Sequence, residues 1–177
     1  MKVVVITGSA HKYGTSNCLA EQFIKGAEEA GHSVFRFDAA QKSVHPCIAC
    51  EHCHNTDKGC VFKDDMCELN PRLSEADVIA FVTPIYYYTV NAQIKAVIDR
   101  FYANDAALHK NKKAVLMVTM ADDAAATADS AVDMLKGIAG FMEWEIAGTV
   151  IGVDCGDTAA LQKTDYADKA YKLGKAL

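Results

Sequence analysis

The sequence predicts an α/β fold: a doubly wound, three-layer sandwich around a five-stranded parallel sheet. Three observations carry this. Short runs rich in β-branched residues alternate along the chain with longer stretches of helical periodicity. The short runs are apolar throughout rather than alternating, as strands covered on both faces must be. The chain has 177 residues, 51% of them hydrophobic, which suits one domain over residues 1–177 with a real core.

The elements follow in order. Lys2–Gly8 (KVVVITG) reads as a buried strand. Cys18, Leu19, Phe23 and Ala27 then fall at helical spacing, and Gly31 closes that helix. Ser33–Asp38 alternates like a strand. Residues 39–65 form the one long irregular stretch, a cysteine-rich insertion, and an irregular stretch of that length in a compact domain is usually functional. Ala76–Pro84 is a second continuous apolar run, with Pro84 expected to end it. Asn91–Tyr102 is helical, with Ile94, Val97, Ile98 and Phe101 on one face. Lys113–Met120 is a further buried strand, residues 125–142 a helix, residues 144–153 the last strand, and residues 165–177 a closing helix.

A net charge of −5 gives no electrostatic footprint for nucleic acid. No apolar run approaches the roughly 18 residues that span a bilayer, so no membrane association is expected. The start of the chain lacks the h-region of a secretory signal, so the expected location is the cytoplasm. There, seven cysteines point to metal binding, catalysis or burial before a disulfide framework.

Ligands of open α/β sheets bind outside the carboxyl ends of the strands. The first such loop, Thr7–Asn17 (TGSAHKYGTSN), is rich in hydroxyls and glycine and precedes a helix that Thr15, Ser16 or Asn17 is placed to cap. Backbone donors at a helix start suit a phosphate, against the plainer reading of a polar turn. The loop matches neither the nucleoside triphosphate nor the dinucleotide glycine pattern. The second loop, Thr83–Gln93, carries three successive tyrosines, which either cover a flat ring or pack under a helix. The third, Thr119–Ser130, has small residues for close approach. Its Asp122 and Asp123 are placed either to bind a metal or, more commonly, to cap and solvate a helix start. The three together would suit a flavin mononucleotide pocket.

Cys47, Cys50, Cys53 and Cys60 are spaced C-x2-C-x2-C-x6-C. The compact run is typical of [4Fe–4S] ligation, since short loops let three thiolates converge on one cluster. Metal-free thiols, a redox disulfide and zinc stay open beside it, although zinc usually takes two separated pairs. Cys18, Cys67 and Cys155 read as buried small residues or bystanders.

The loop TGSAHKYGTSN, the segment PCIACEHC with its later Cys60 and KDDM, and SEADVIAFVTPIYYYTVNAQIKAVIDR together resemble the flavodoxin-like NAD(P)H-dependent FMN reductase family, in particular its iron–sulfur flavoprotein branch. The resemblance runs from Met1 to Arg100 and fades afterward. It implies a flavodoxin-like fold and FMN with its phosphate held by Ser9, His11, Thr15, Ser16 and Asn17. It implies Pro84, Ile85, Tyr86 and Tyr87 along the isoalloxazine, with Thr119, Met120 and Asp122 closing the other side. Ala10 and His11 depart from the family's usual Pro and Arg, which weakens one phosphate contact. The resemblance further implies NAD(P)H as co-substrate, a [4Fe–4S] cluster on the four cysteines, and a homodimer or homotetramer.

Three functions follow for comparison. The first is an FMN-dependent oxidoreductase reducing flavin, quinone or a small acceptor, with no side chain required as acid or base. The second is an electron carrier passing electrons from a ferredoxin-like donor through a cluster and FMN to a protein redox partner. The third, minor, is a dinucleotide-binding protein with Asp38 on the ribose.

Overall fold

A computed structural model describes residues 1–109 and 111–177. The elements are β1 (Lys2–Thr7), α1 (Thr15–Glu29), β2 (Ser33–Asp38), α2 (His52–Asn55), α3 (Met66–Glu75), β3 (Val78–Tyr86), β4 (Thr89–Val90), α4 (Ala92–Asp99), α5 (Asp105–Leu108), β5 (Lys113–Thr119), α6 (Asp129–Met142), β6 (Glu145–Gly152), α7 (Thr158–Leu161) and α8 (Tyr166–Lys175). Short 3-10 turns at Ala39–Gln41, Arg100–Asn104 and Ala125–Ala128 complete the path.

The strands pair in the order β2-β1-β3-β5-β6, all parallel. This is the expected doubly wound sheet. The chain crosses from one half to the other beside β1, so the loops after β1 and β3 open side by side at the carboxyl edge. Successive side chains leave the strands on opposite faces. Val4, Ile6, Ile79, Phe81, Leu116 and Val118 bury one way, under α3, α4 and α6. Val3, Val5, Ala80, Val82, Val115 and Met117 bury the other way, with Leu19 and Phe23 of α1 and Ala170 of α8. That two-sided burial explains why these strands carry no polar alternation.

Helices α1 and α8 meet backbone to backbone. A Cβ on Gly26 would sit 2.1 Å from the Tyr171 carbonyl oxygen, and one on Gly174 would sit 2.1 Å from that of Phe23. The end of α1 is as expected: Gly31 takes φ +84°, its N–H donates to Glu28, and the His32 N–H reaches back to Ala27.

One boundary differs from the expectation. Pro84 does not end β3. It costs the ladder a donor, but β4 folds back and adds the antiparallel pairs Ile85↔Val90 and Tyr86↔Thr89, so the strand continues to Tyr86. The two residues between these strands, Tyr87 and Tyr88, sit at φ +46° and +68°. A two-residue hairpin with positive φ at both centres is a type I′ turn, ordinarily built from Asn and Gly.

Candidate functional site

A cleft of about 660 Å³ opens at the carboxyl ends of the sheet. Its floor is the loop between β1 and α1. The sequence expectation of a side-chain cap on α1 is corrected here. The residue at the cap position is Gly14, no side chain caps the helix, and its first turn carries no acidic residue. Asn17 turns away instead: its Nδ2 donates to the His11 and Lys12 carbonyls and braces the loop from below, while its buried Oδ1 has no partner. The first-turn N–H groups of α1 therefore take no side-chain cap, and Gly14, Thr15 and Ser16 at that helix start line the cleft. With the helix dipole behind them, they make a place for an anion.

Side chains add to this. Ser9, His11, Lys12, Thr15 and Ser16 line the same end of the cleft. The Thr15 and Thr119 hydroxyls are 2.9 Å apart, which ties the first loop to the end of β5. Asn91 anchors the floor: its Nδ2 donates to the Gly8 carbonyl, and its Oδ1 accepts from the Ile94 N–H at the start of α4. One buried amide thus locks the phosphate-type loop to the segment behind the tyrosines.

Pro84, Ile85 and Tyr86 form one wall, and Tyr13 enters from the other loop. Tyr86 and Tyr13 are exposed, so they are cleft aromatics rather than core. Tyr87 is 99% exposed at the tip of the hairpin and does not line the cleft. Thr119, Met120 and Ala121 close a further side. Asp122 lies outside the lining: its carboxylate takes the Thr127 hydroxyl and the Ala124 N–H, which pull it below the usual carboxylate range, the Thr127 bond most of all. It closes its own turn.

Of the residues named from the sequence, Ser9, His11, Thr15, Ser16, Pro84, Ile85, Tyr86, Thr119 and Met120 come together around the cleft, and Asn17, Tyr87 and Asp122 do not. The loop after β6 was missed. Cys155, Gly156, Asp157 and Thr158 complete the lining. Burial, and then Asp154, push the Cys155 thiol up, and the Asp157 carboxylate caps α7 by accepting from Ala160. The position of this loop after the edge strand was the available signal. Asp38 lies outside the cleft lining, and one of its carboxylate oxygens accepts from the Thr7 hydroxyl and from Arg36 Nε.

The cysteine-rich insertion lies apart from that cleft. Cys47, Cys50, Cys53 and Cys60 line one small pocket of about 20 Å³ together with Phe62, Arg100 and Tyr102. All four are free thiols. Burial pushes the Cys53 thiol up, and its neighbours Cys60 and Cys50 add to that. Among the described residues, no group of three or more His, Cys, Asp or Glu side chains is gathered tightly enough to hold a single metal ion. The insertion is pinned by a buried fork: Arg100 Nη1 meets Asp64 at 2.6 Å and the His45 carbonyl at 2.8 Å, and Nη2 meets Asp64 at 3.2 Å. Burial works to raise the Asp64 carboxyl, but Arg100 and the His45 N–H outweigh it and leave it below its ordinary value.

The family model described as NADPH-dependent FMN reductase matches residues 1–153. Two iron-sulfur flavoproteins of Archaeoglobus fulgidus are 38% and 41% identical over 101 and 105 residues, covering 56% and 59% of this chain and 45% and 53% of theirs. The chain spans about half the length of these relatives. Among solved structures, Smu.1420 from Streptococcus mutans superimposes with a TM-score of 0.81 at 16% identity, covering 100% of each chain. The NAD(P)H:quinone oxidoreductase from Methanothermobacter marburgensis does so with a TM-score of 0.75 at 18% identity, covering 99% of this chain and 94% of that one. These likenesses establish the fold as flavodoxin-like. No helix among the described residues is long and apolar enough to cross a membrane.

Proposed function

The chain belongs to the NADPH-dependent FMN reductase family, and from that premise we propose that residues 1–177 form one FMN-binding oxidoreductase domain with residues 39–65 as its cysteine-rich insertion. The reaction is NAD(P)H-dependent reduction of flavin, quinone or another small acceptor. The observation that carries this reading is the uncapped start of α1 at the floor of a cleft of about 660 Å³. The donor set fits FMN: amide N–H groups, the hydroxyls of Ser9, Thr15 and Ser16, and the cationic Lys12 at one end, with aromatic and apolar walls at the other.

FMN, when bound, supplies hydride and electron transfer. The chain's residues do the rest. The α1 amides, Ser9, Thr15 and Ser16 would hold the phosphate, with His11 and Lys12 beside them. Pro84, Ile85, Tyr86 and Tyr13 would line the ring. Thr119, Met120 and the loop from Cys155 to Thr158 narrow the remaining side and limit water. No side chain is needed as an acid or base. Purified chain should carry FMN and oxidise NADPH or NADH in the presence of free flavin or a quinone. A chain that neither retains nor binds FMN would refute the reading.

The four-cysteine pocket favours a second reading: a [4Fe–4S] cluster held by Cys47, Cys50, Cys53 and Cys60, with electrons passed between it, FMN and a protein partner. Four thiols lining one pocket match the donor set of such a cluster. Iron and sulfide assay on anaerobically purified protein tests it. A cytoplasmic homodimer or homotetramer, meeting a small-molecule or protein redox partner, completes the proposal.

A further inference from the structure

Arg100 stands in the wall of the four-cysteine pocket and is 2% exposed. Its planar head is held on one edge by the Asp64 fork and the His45 carbonyl. One face lies over Phe62, 5.3 Å from the ring centroid, and Phe62 in turn stacks on His45 at 4.8 Å. The head therefore cannot swing away. Its Nε–H is buried with no hydrogen-bond partner. A buried guanidinium donor left unpaired is costly and calls for an explanation. Burial works to lower the guanidinium pKa, but Asp64 outweighs it, and the Cys60 thiol in the same pocket wall adds to the rise. The other pocket-lining charges have partners of their own: Glu51 accepts from the Tyr102 hydroxyl, and Asp99 pairs with Lys95.

We propose that Arg100 is a positioning residue for the iron–sulfur group of the four-cysteine pocket, directing its unpaired Nε–H and its fixed positive charge at the sulfurs and thereby raising the group's reduction potential. The inference rests on the cluster reading above. Adding one electron to a thiolate-held cluster increases its negative charge, and a fixed cation against the sulfurs stabilises that state more than the oxidised one. Asp64 works in the opposite direction. It clamps the guanidinium but brings a negative charge to the same place.

The test compares wild type with Arg100→Lys, Arg100→Gln and Asp64→Asn, all purified without oxygen. Iron, sulfide and FMN per chain are assayed, and the cluster midpoint potential is followed by EPR-monitored titration. The expected result is a lower potential in Arg100→Gln, a smaller drop in Arg100→Lys, and a rise in Asp64→Asn. A residue that merely anchors the loop would move Arg100→Gln and Asp64→Asn together, because both break the same ion pair. That result, or an unmoved potential, overturns the proposal. Iron lost from both Arg100 variants but kept by Asp64→Asn, with FMN retained, supports it, and iron lost from all three overturns it. Wild type that carries FMN without iron overturns the cluster reading and this proposal together, and leaves the reductase reading standing.

Discussion

Replacing Asn91 with Ala removes two buried hydrogen bonds that act in different directions. The Oδ1 caps α4 by accepting from Ile94, and the Nδ2 donates to the Gly8 carbonyl in the loop under the cleft. Loss of a cap of this kind costs about 1 kcal/mol. Asn91 is 2% exposed, so water does not replace its bond to Gly8, and a buried carbonyl left without a donor costs about 1–3 kcal/mol. Asn91→Ala should therefore lose about 2–4 kcal/mol. With a urea m-value of about 2 kcal/mol/M, the unfolding midpoint falls by about 1–2 M. Asn91→Asp separates the two parts. A carboxylate caps as well as an amide but cannot donate to Gly8, and it places a charge against that carbonyl. It should be at least as destabilised as the alanine variant and should bind FMN more weakly than wild type. A midpoint for Asn91→Asp equal to wild type would refute the reasoning, because the helix cap would then be the whole contribution.

Four further outcomes follow. Thr15→Val removes the hydroxyl shared with Thr119 and one donor at the phosphate end of the cleft, so FMN affinity, by fluorescence quenching, should weaken about tenfold to a hundredfold, in line with a bond to a charged group. Changing Tyr87 and Tyr88 to Asn and Gly supplies the residues a type I′ turn prefers and should raise stability by about 1 kcal/mol or more, read as an increase in Tm; no change would mean the turn is not strained. Gly26→Ala puts a Cβ 2.1 Å from the Tyr171 carbonyl and should force α1 from α8 at a cost of about 3 kcal/mol or more by urea titration; full stability would contradict the backbone contact. Asp64 has a depressed pKa, so its contribution is fully present above the unfolded carboxyl value of about 3.9 and is lost as pH falls through the lower folded value. Labelling of Cys60 by 4,4′-dithiodipyridine should accelerate on acidification into that window, and Asp64→Asn should abolish the pH step.

The apolar runs of β1, β3 and β5 were legible because a strand covered on both faces has no solvent side to mark with polar residues. The loop from Thr7 to Asn17 was legible as a cleft-lining loop because it leaves the carboxyl end of β1 and opens α1. Other assignments failed for identifiable reasons. Composition alone does not say which way Asn17 turns, and three tyrosines in a row do not say which of them faces the cleft. The I′ turn at Tyr87 and Tyr88 breaks the usual turn chemistry, so no local signal announced it. The lining from Cys155 to Thr158 comes from the far edge strand, and nothing in its own composition marks it.

The sequence by itself determined the order of the five parallel strands and the long helices, the polar first loop and the grouping of four cysteines, because each depends on residues near one another in the chain. The tertiary structure decided what meets across distance: the Asn91 amide on Gly8, the Thr15 hydroxyl on Thr119, and the Arg100 fork that holds the insertion by Asp64 and His45. Those contacts join segments dozens of residues apart, and only the closed sheet and its packed helices bring them within hydrogen-bond reach.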